Sequence, residues 1–432
     1  MLALIVLLMQ EAPVIERAEL LTGGAFRPGH WTPLEVRVRG AEALAGELVV
    51  RTDAGIAVVK AVEAGLGRPD PVVPVLALAI DAPLEVLFRR DGQILARYRR
   101  RSLGRGLYQS DRLILARGTP PDERTVLFDL KGAELEWLEG VDAVVGTAPE
   151  GYAAMGGIVA ADLPDALRGI EARGKFETRW FEPVDAPLCR LAPQEPWVES
   201  KRRATLWFVG IYLAAGVAAL SLLARRARWA WVAVLALSAA GVAAFFALFP
   251  RGTVAISRRS CEIPSARLDV YFVRRTKPGA CDVEFPGLVK PVYPSFQAAT
   301  LDRAELHVGK GTSRIAGLSL AADEWRLFTC VAPAPTVPVE IAPDGATLAR
   351  RLFDAGVVDG SRVTRLGDGG GPPAGAAEPE DATYRYFRRK LMRTPRFAYG
   401  WTSRSSRAAS GVATPDLAEL RELPGLVLLP ID

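Results

Sequence analysis

The spacing of apolar positions changes along the chain, and each change predicts a different kind of element. From Val14 to about Arg101 apolar and polar residues alternate, as in Leu34-Glu-Val36-Arg-Val38 and Leu84-Glu-Val86, with Gly, Pro and Asp between the runs. Successive side chains of a strand point to opposite faces, so this pattern buries one face and wets the other. About seven such runs predict an antiparallel β-sandwich of immunoglobulin-like size over residues 14–101. From Leu107 to Leu191 the runs shorten. Arg112 to Ala116, Thr125 to Phe128 and Val141 to Val145 read as buried strands, Gly156 to Ala160 as a further one, and Leu163 to Ala172 has helical period. This predicts a reduced α/β domain over residues 107–192.

Thr205 to Phe249 carries two apolar runs, 205–224 and 229–249, split only by Arg225-Arg226-Ala227-Arg228. Each has about 20 residues without a charge, the length a helix needs to cross a bilayer, so a transmembrane hairpin is expected; the alternative is a helical hairpin buried in a protein core. Gly210, Gly216 and Gly241 with many alanines favour packing of the two helices on each other. After residue 253 alternation returns, in Leu268 to Val273, Ala304 to Val308 and Trp325 to Val331, and predicts a β-rich domain over 253–341. A mixed tail follows over 342–432. It holds a short helix at Ala346 to Ala355, a flexible Gly/Pro/acid-rich linker at 367–381 and a basic aromatic helix at 383–393. That helix either packs Tyr384, Phe387 and Leu391 on the β-rich domain or lies on an anionic membrane or nucleic acid. The fold class expected is a multidomain membrane protein: β-sandwich plus reduced α/β domain, two-helix transmembrane hairpin and C-terminal β-rich domain.

Charge refines this picture. The net charge of +5 is scattered, and part of it flanks the apolar spans, so no nucleic-acid partner is expected and the bilayer is. Trp197, Lys201, Arg202 and Arg203 in the connector 193–204, with Arg225, Arg226, Arg228 and Trp229 at the turn, are the expected membrane-flanking residues. Their positive charges nearly cancel as an orientation signal. The apolar run Met1 to Met9, within a signal-like segment 1–12, settles it: both folded regions are expected outside the inner membrane of a bacterium, although no Lys or Arg precedes the run.

Candidate chemistry is sparse. The two histidines, His30 and His307, are far apart in the chain, so His30 reads as a structural loop residue and no metal site is expected. In an oxidising compartment Cys261 and Cys281 are disulfide candidates, the loop contributing roughly 3 kcal/mol in the chain-entropy model. Cys189 and Cys330 are either buried thiols or a second pair. Val308-Gly-Lys310-Gly-Thr-Ser313 departs from the spacing of a phosphate loop and reads as a β-turn. No residue is assigned to catalysis, and no cofactor is expected.

The turn Phe26-Arg-Pro-Gly-His-Trp-Thr-Pro33 ahead of a β-sandwich, then Leu135-Glu-Trp-Leu-Glu-Gly-Val-Asp-Ala-Val-Val145, then a two-helix hairpin, resembles a group of bacterial membrane-anchored proteins whose middle domain is a degenerate class I glutamine amidotransferase-like domain. The resemblance covers residues 14 to 250. It implies a tethered extracytoplasmic protein working with partners that include a chaperone-like ATPase system. Glutamine hydrolysis is not implied, because that chemistry needs a Cys on a Gly-x-Cys-x-Gly turn and a His to activate it. Cys189 stands in Pro187-Leu-Cys-Arg instead, and residues 107–191 contain no His. The function expected is a non-catalytic, membrane-anchored envelope protein that binds or scaffolds protein partners. The alternatives are a hydrolase or transferase with an unrecognised site in the α/β domain, or an accessory subunit of a transporter.

Overall fold

The computed structural model describes residues 12–40, 42–108, 110–130, 135–149, 151–153, 157–173, 185–191, 207–214, 216–218, 221, 232, 236, 238–239, 241, 253–263, 266–294, 304–321, 324–333, 353–359, 362–366, 381–391, 396–402, 412–415, 417–423 and 425–430. In chain order the first strands are β1 (Val14–Leu20), β2 (Ala25–Phe26), β3 (Thr32–Arg39), β4 (Leu44–Arg51), β5 (Ala57–Ala64), β6 (Val72–Val75), β7 (Leu84–Arg90), β8 (Gln93–Arg100) and β9 (Arg105–Gly106). The middle region holds β10 (Arg112–Leu115), β11 (Thr125–Phe128), β12 (Ala143–Val145), β13 (Ile158–Ala160) and the helices α1 (Leu163–Arg173) and α2 (Ala186–Cys189). Then follow β14 (Val254–Ile263), β15 (Ala266–Arg275), β16 (Gly279–Pro286), β17 (Val289–Val292), β18 (Glu305–Val308), β19 (Thr312–Leu320) and β20 (Trp325–Pro333). The last elements are β21 (Phe353–Asp359), β22 (Arg362–Leu366), α3 (Ala382–Leu391), β23 (Arg396–Thr402), β24 (Leu417–Glu422) and β25 (Gly425–Pro430).

The two β regions expected as separate domains share one sheet. Its order is β16-β19-β18-β5-β4-β7-β8, so β5 of the first region pairs in parallel with β18 of the last, Ala57 opposite Glu305 and Val59 opposite His307. The reason is burial. Leu48, Val50, Val58, Val86 and Phe88 turn inward from the first region, and Leu306, Ile315 and Leu318 from the last, all into one core with Leu34 and Val36 of the three-stranded sheet β1-β3-β6. A sheet ending at β5 would leave Val58 without that second half of its surroundings, at about 2 kcal/mol for each large side chain exposed.

Behind this sandwich lies a nine-stranded sheet centred on β15 and β14. Every residue of β15 is buried, because its two faces enter different cores. Tyr271 and Val273 face the sandwich, while Leu268, Val270 and Phe272 join Leu113, Phe128 and Tyr152 of the middle region. Tyr384 and Phe387 of α3 lie in that second core, with Tyr384 edge-on to Tyr399 of β23 at 5.0 Å between ring centres. Strands β11-β10-β12-β13 form a wholly parallel sheet. Ala166 of α1 covers it beside Ile114 and Ala143, and Asp162 caps α1 by accepting from the Asp165 amide at 2.8 Å.

Several expectations are corrected. The chain is mostly β-strand, and among the described residues no helix is long and apolar enough to cross a membrane. The two-helix transmembrane hairpin, and with it the multidomain membrane fold and the inner-membrane location with extracytoplasmic domains, is therefore not supported. The membrane-flanking residues Trp197, Lys201, Arg202, Arg203, Arg225, Arg226, Arg228 and Trp229 lie outside the described residues, as do the signal-like residues 1–11 and the linker residues 367–380. The helix expected at Ala346 to Ala355 gives way, from Phe353 onward, to β21, whose register is fixed by β22 and β23.

Candidate functional site

Three chain regions meet in a buried ionic node. The turn between β2 and β3 delivers Arg27, His30 and Trp31; the loop before β12 delivers Glu139 and Asp142; β17 delivers Lys290. Lys290 Nζ donates to Glu139 Oε1 and, at 3.1 Å, to the Gly29 carbonyl. The other carboxylate oxygen of Glu139 accepts the Trp31 amide at 2.9 Å, and His30 Nδ1 lies 3.8 Å from Oε1. Alongside, the Arg27 guanidinium donates to Asp142 Oδ2 at 2.7 Å and to the carbonyls of Gly140, Tyr108 and Asp111. Burial lowers the His30 pKa to about 4 against the pull of Glu139, so the imidazole is neutral. Burial also works to raise the Glu139 carboxyl, but Lys290 and His30 bring it below the usual range.

Groups with such shifts collect at catalytic sites and at structural ion pairs alike. Each polar side chain of this node is below 10 % exposed, so it holds three regions together rather than meeting solvent. A Cβ on Gly140 would stand 3.2 Å from both the Arg27 and His30 Cβ atoms, which is why the loop can press so close.

A second set of charges is open to solvent, on the outward face of the seven-stranded sheet. Beneath them Val49, Val59 and Leu87 are buried in a small apolar cluster, in register across β7, β4 and β5. Charged residues surround it. Arg89 of β7 donates to both oxygens of Glu305 at 3.0 Å and to Glu47 at 2.9 Å. His307 Nε2 lies 3.3 Å from Glu305. The hydrogen bonds from Arg89 hold the Glu305 carboxyl below its ordinary value. At the β7 end a single carboxylate, Glu85, receives Arg97 and Arg99, each through Nε at 2.7 Å, with Arg51 at 3.6 Å. Burial opposes ionisation of Glu85, but the hydrogen bonds from Arg99 and Arg97 outweigh it and lower its pKa.

Where the two halves of the sheet join, a cleft of about 490 Å³ opens, lined by Arg51, Thr52 and Ile56 from the β4–β5 turn and by Ala304 and Glu305. The turn is braced: Thr52 Oγ1 donates to the Leu76 carbonyl at 2.5 Å, and Asp53 accepts the amides of Leu78 and Ala79 at 2.9 and 2.6 Å.

No protein-family model and no curated protein matches the chain. Among solved structures it is similar to a non-cellulosomal cohesin from the hyperthermophilic archaeon Archaeoglobus fulgidus, at 8% identity, covering 41% of this chain and 92% of that one, with a TM-score of 0.16. A superposition this loose carries no argument about fold or function.

The residues singled out in the sequence fall in separate places. His30 enters the ionic node and His307 the outward face. The Cys261–Cys281 disulfide is not formed: all four cysteines are thiols, Cys261 of β14 lying in the core shared with the middle region and Cys281 of β16 in the sandwich core. Cys189 ends the short helix α2, where burial and the neighbouring Asp185 raise its pKa to about 11, leaving the thiol protonated at neutral pH. Lys310 sits in the turn of the β18–β19 hairpin, between Val308 and Ser313, which pair across it. Glu139, Lys290 and the arginines around Glu85 were missed. The sequence signal for the arginines was the run Arg97-Tyr-Arg99-Arg100-Arg101, whose alternate members share one strand face.

Proposed function

We propose that this chain is a non-catalytic protein-binding module or scaffold. The observation that carries this reading is the contrast between its two polar constellations. The one with catalytic residue types, His30, Glu139 and Lys290, is shut inside the molecule as a brace between regions. The one at the surface is an array of guanidiniums and carboxylates over a buried apolar cluster, set on strands rather than loops. Charge arrays of this kind select partners and guide encounter more than they perform chemistry. The Cys189 thiol does not favour an enzyme, since the reactive species would be the thiolate. A chaperone-like ATPase, implied by the resemblance, is the first partner to test.

The test is a photo-crosslinking scan in the native cell, with benzoylphenylalanine placed at exposed positions such as Leu66, Ile94 and Val159. A discrete adduct confined to positions on one surface is the expected result. The reading fails if no position captures a discrete protein, or if the purified chain turns over a hydrolase or transferase substrate and the Cys189→Ser variant does not.

A further inference from the structure

Strand β8 ends the seven-stranded sheet, and among the described residues its ladder is to β7 alone. An edge strand presents one row of backbone N–H and C=O groups to whatever can pair with it. Strand β1, which ends the three-stranded sheet, packs beside β8 without pairing to it, so the backbone groups on the outer edge of β8 keep no ladder partner among the described residues. The side chains of β8 give its edge a definite character. Arg97 stands opposite Leu87 and Arg99 opposite Glu85, so both face outward. A bulge then lets Ile94, rather than Leu95, stand opposite Arg89, and this brings Ile94 to the same face at 57 % exposure. The outward strip of β8 therefore reads apolar, then cationic, then cationic.

The charge around it does not balance. Arg51, Arg97 and Arg99 converge on Glu85, three guanidiniums on one carboxylate, and the side chains of Arg97 and Arg99 stay 48 % and 65 % exposed. Arg100 and Arg101 continue the run. Arginines on an edge repel a second copy of the same strand, which is the ordinary protective use of charge there. The same arrangement attracts a strand of opposite charge, since carboxylates directly across from guanidiniums on neighbouring strands stabilise pairing.

We propose that β8 accepts an acidic, extended segment of a partner protein as an added strand, with carboxylates at alternate positions against Arg97 and Arg99 and an apolar side chain against Ile94. Main-chain hydrogen bonds along the edge supply affinity, and the alternating side chains supply selection. This rests on the protein-binding reading and names the chemistry of the partner.

The test uses the full chain and a fluorescein-labelled peptide in which every second residue is valine and the residues between them run glutamate, glutamate, leucine, to meet Arg99, Arg97 and Ile94, followed by anisotropy. Saturable binding is expected, weakened about tenfold or more by the double substitution Arg97→Glu/Arg99→Glu, which corresponds to about 1.4 kcal/mol. A peptide N-methylated at alternate amides keeps its charge and loses its donors, and it should bind at least about tenfold more weakly. Thermal melts of the variants check folding, and Ile94→Glu, at an exposed position, should also weaken binding while leaving both arginines in place. No saturable binding, binding indifferent to N-methylation, or equal binding of an oligothymidylate overturns the proposal. If the peptide fails while the crosslinking scan still captures a discrete protein elsewhere, the edge site falls and the protein-binding reading stands; capture at no position sinks that reading as well.

Discussion

Arg89 of β7 and Glu305 of β18 form a bidentate pair, 3.0 Å at each contact, between residues 216 apart in the chain. The pair crosses over β4 and β5 on the outward face and ties the first half of the sheet to the second. Arg89→Ala should destabilise the chain by about 1 kcal/mol, since both side chains retain some solvent and the pair is partly screened. Because the folded Glu305 titrates below its ordinary 4.5, its stabilisation is present above that pH and is lost as pH falls through the folded value. Urea midpoints measured from neutral pH down to acid should therefore fall less steeply in the Arg89→Ala variant.

Lys290 and Glu139 are both almost wholly buried, and each is the charge that makes the other tolerable. Lys290→Met should cost about 3–5 kcal/mol, because it strands a carboxylate inside the molecule. Adding Glu139→Gln, which keeps an acceptor for the Trp31 amide, should recover much of that loss. Denaturant midpoints of the two variants decide the matter; a double variant no more stable than the single one would deny the ionic coupling.

His30 gives a pH dependence of its own. Its pKa falls from 6.5 to about 4 on folding, so the unfolded chain binds the extra proton between those values and stability decreases as pH drops from 6.5 towards 4. The slope amounts to about 3 kcal/mol over that window for a fully buried imidazole. Replacing His30 with Gln should flatten the stability profile over that interval, whatever its effect at neutral pH.

The four cysteines predict simple covalent behaviour. Intact mass should be the same before and after reduction, with all four thiols alkylated once the chain is unfolded. Cys261, whose pKa burial raises well above its ordinary value, should be the slowest to react with iodoacetamide in the native chain, and Cys189 should stay slow at neutral pH. Peptide mapping of the alkylated protein reads both.

Strand identity was legible wherever burial is local. The runs Arg112 to Leu115 and Thr125 to Phe128 are short and apolar because both faces of a parallel sheet are covered, one by α1 and one by the core shared with β15. Strand partners were not legible. Val58 and Leu306 each alternate correctly with their neighbours, but alternation states which face is buried and not which distant strand completes the sheet. The ionic node was hidden for a related reason: Glu139 and Lys290 each stand alone in the sequence, and only the tertiary fold makes them partners. The long apolar stretch 205–249 satisfied a length rule for membrane crossing, yet among the described residues no helix is long and apolar enough to cross.

The parallel pairing of β5 with β18 has a consequence for how the protein is made. During synthesis β5 is finished long before β18 leaves the ribosome, and until Glu305 to Val308 arrive the nascent sheet ends in an uncovered, apolar-backed strand. Such a long-range closure is slow, and the waiting edge is open to wrong pairing. The first hundred residues thus lack the strand that completes their sheet until β18 is made. A chain cut anywhere before β18 should accumulate as aggregate.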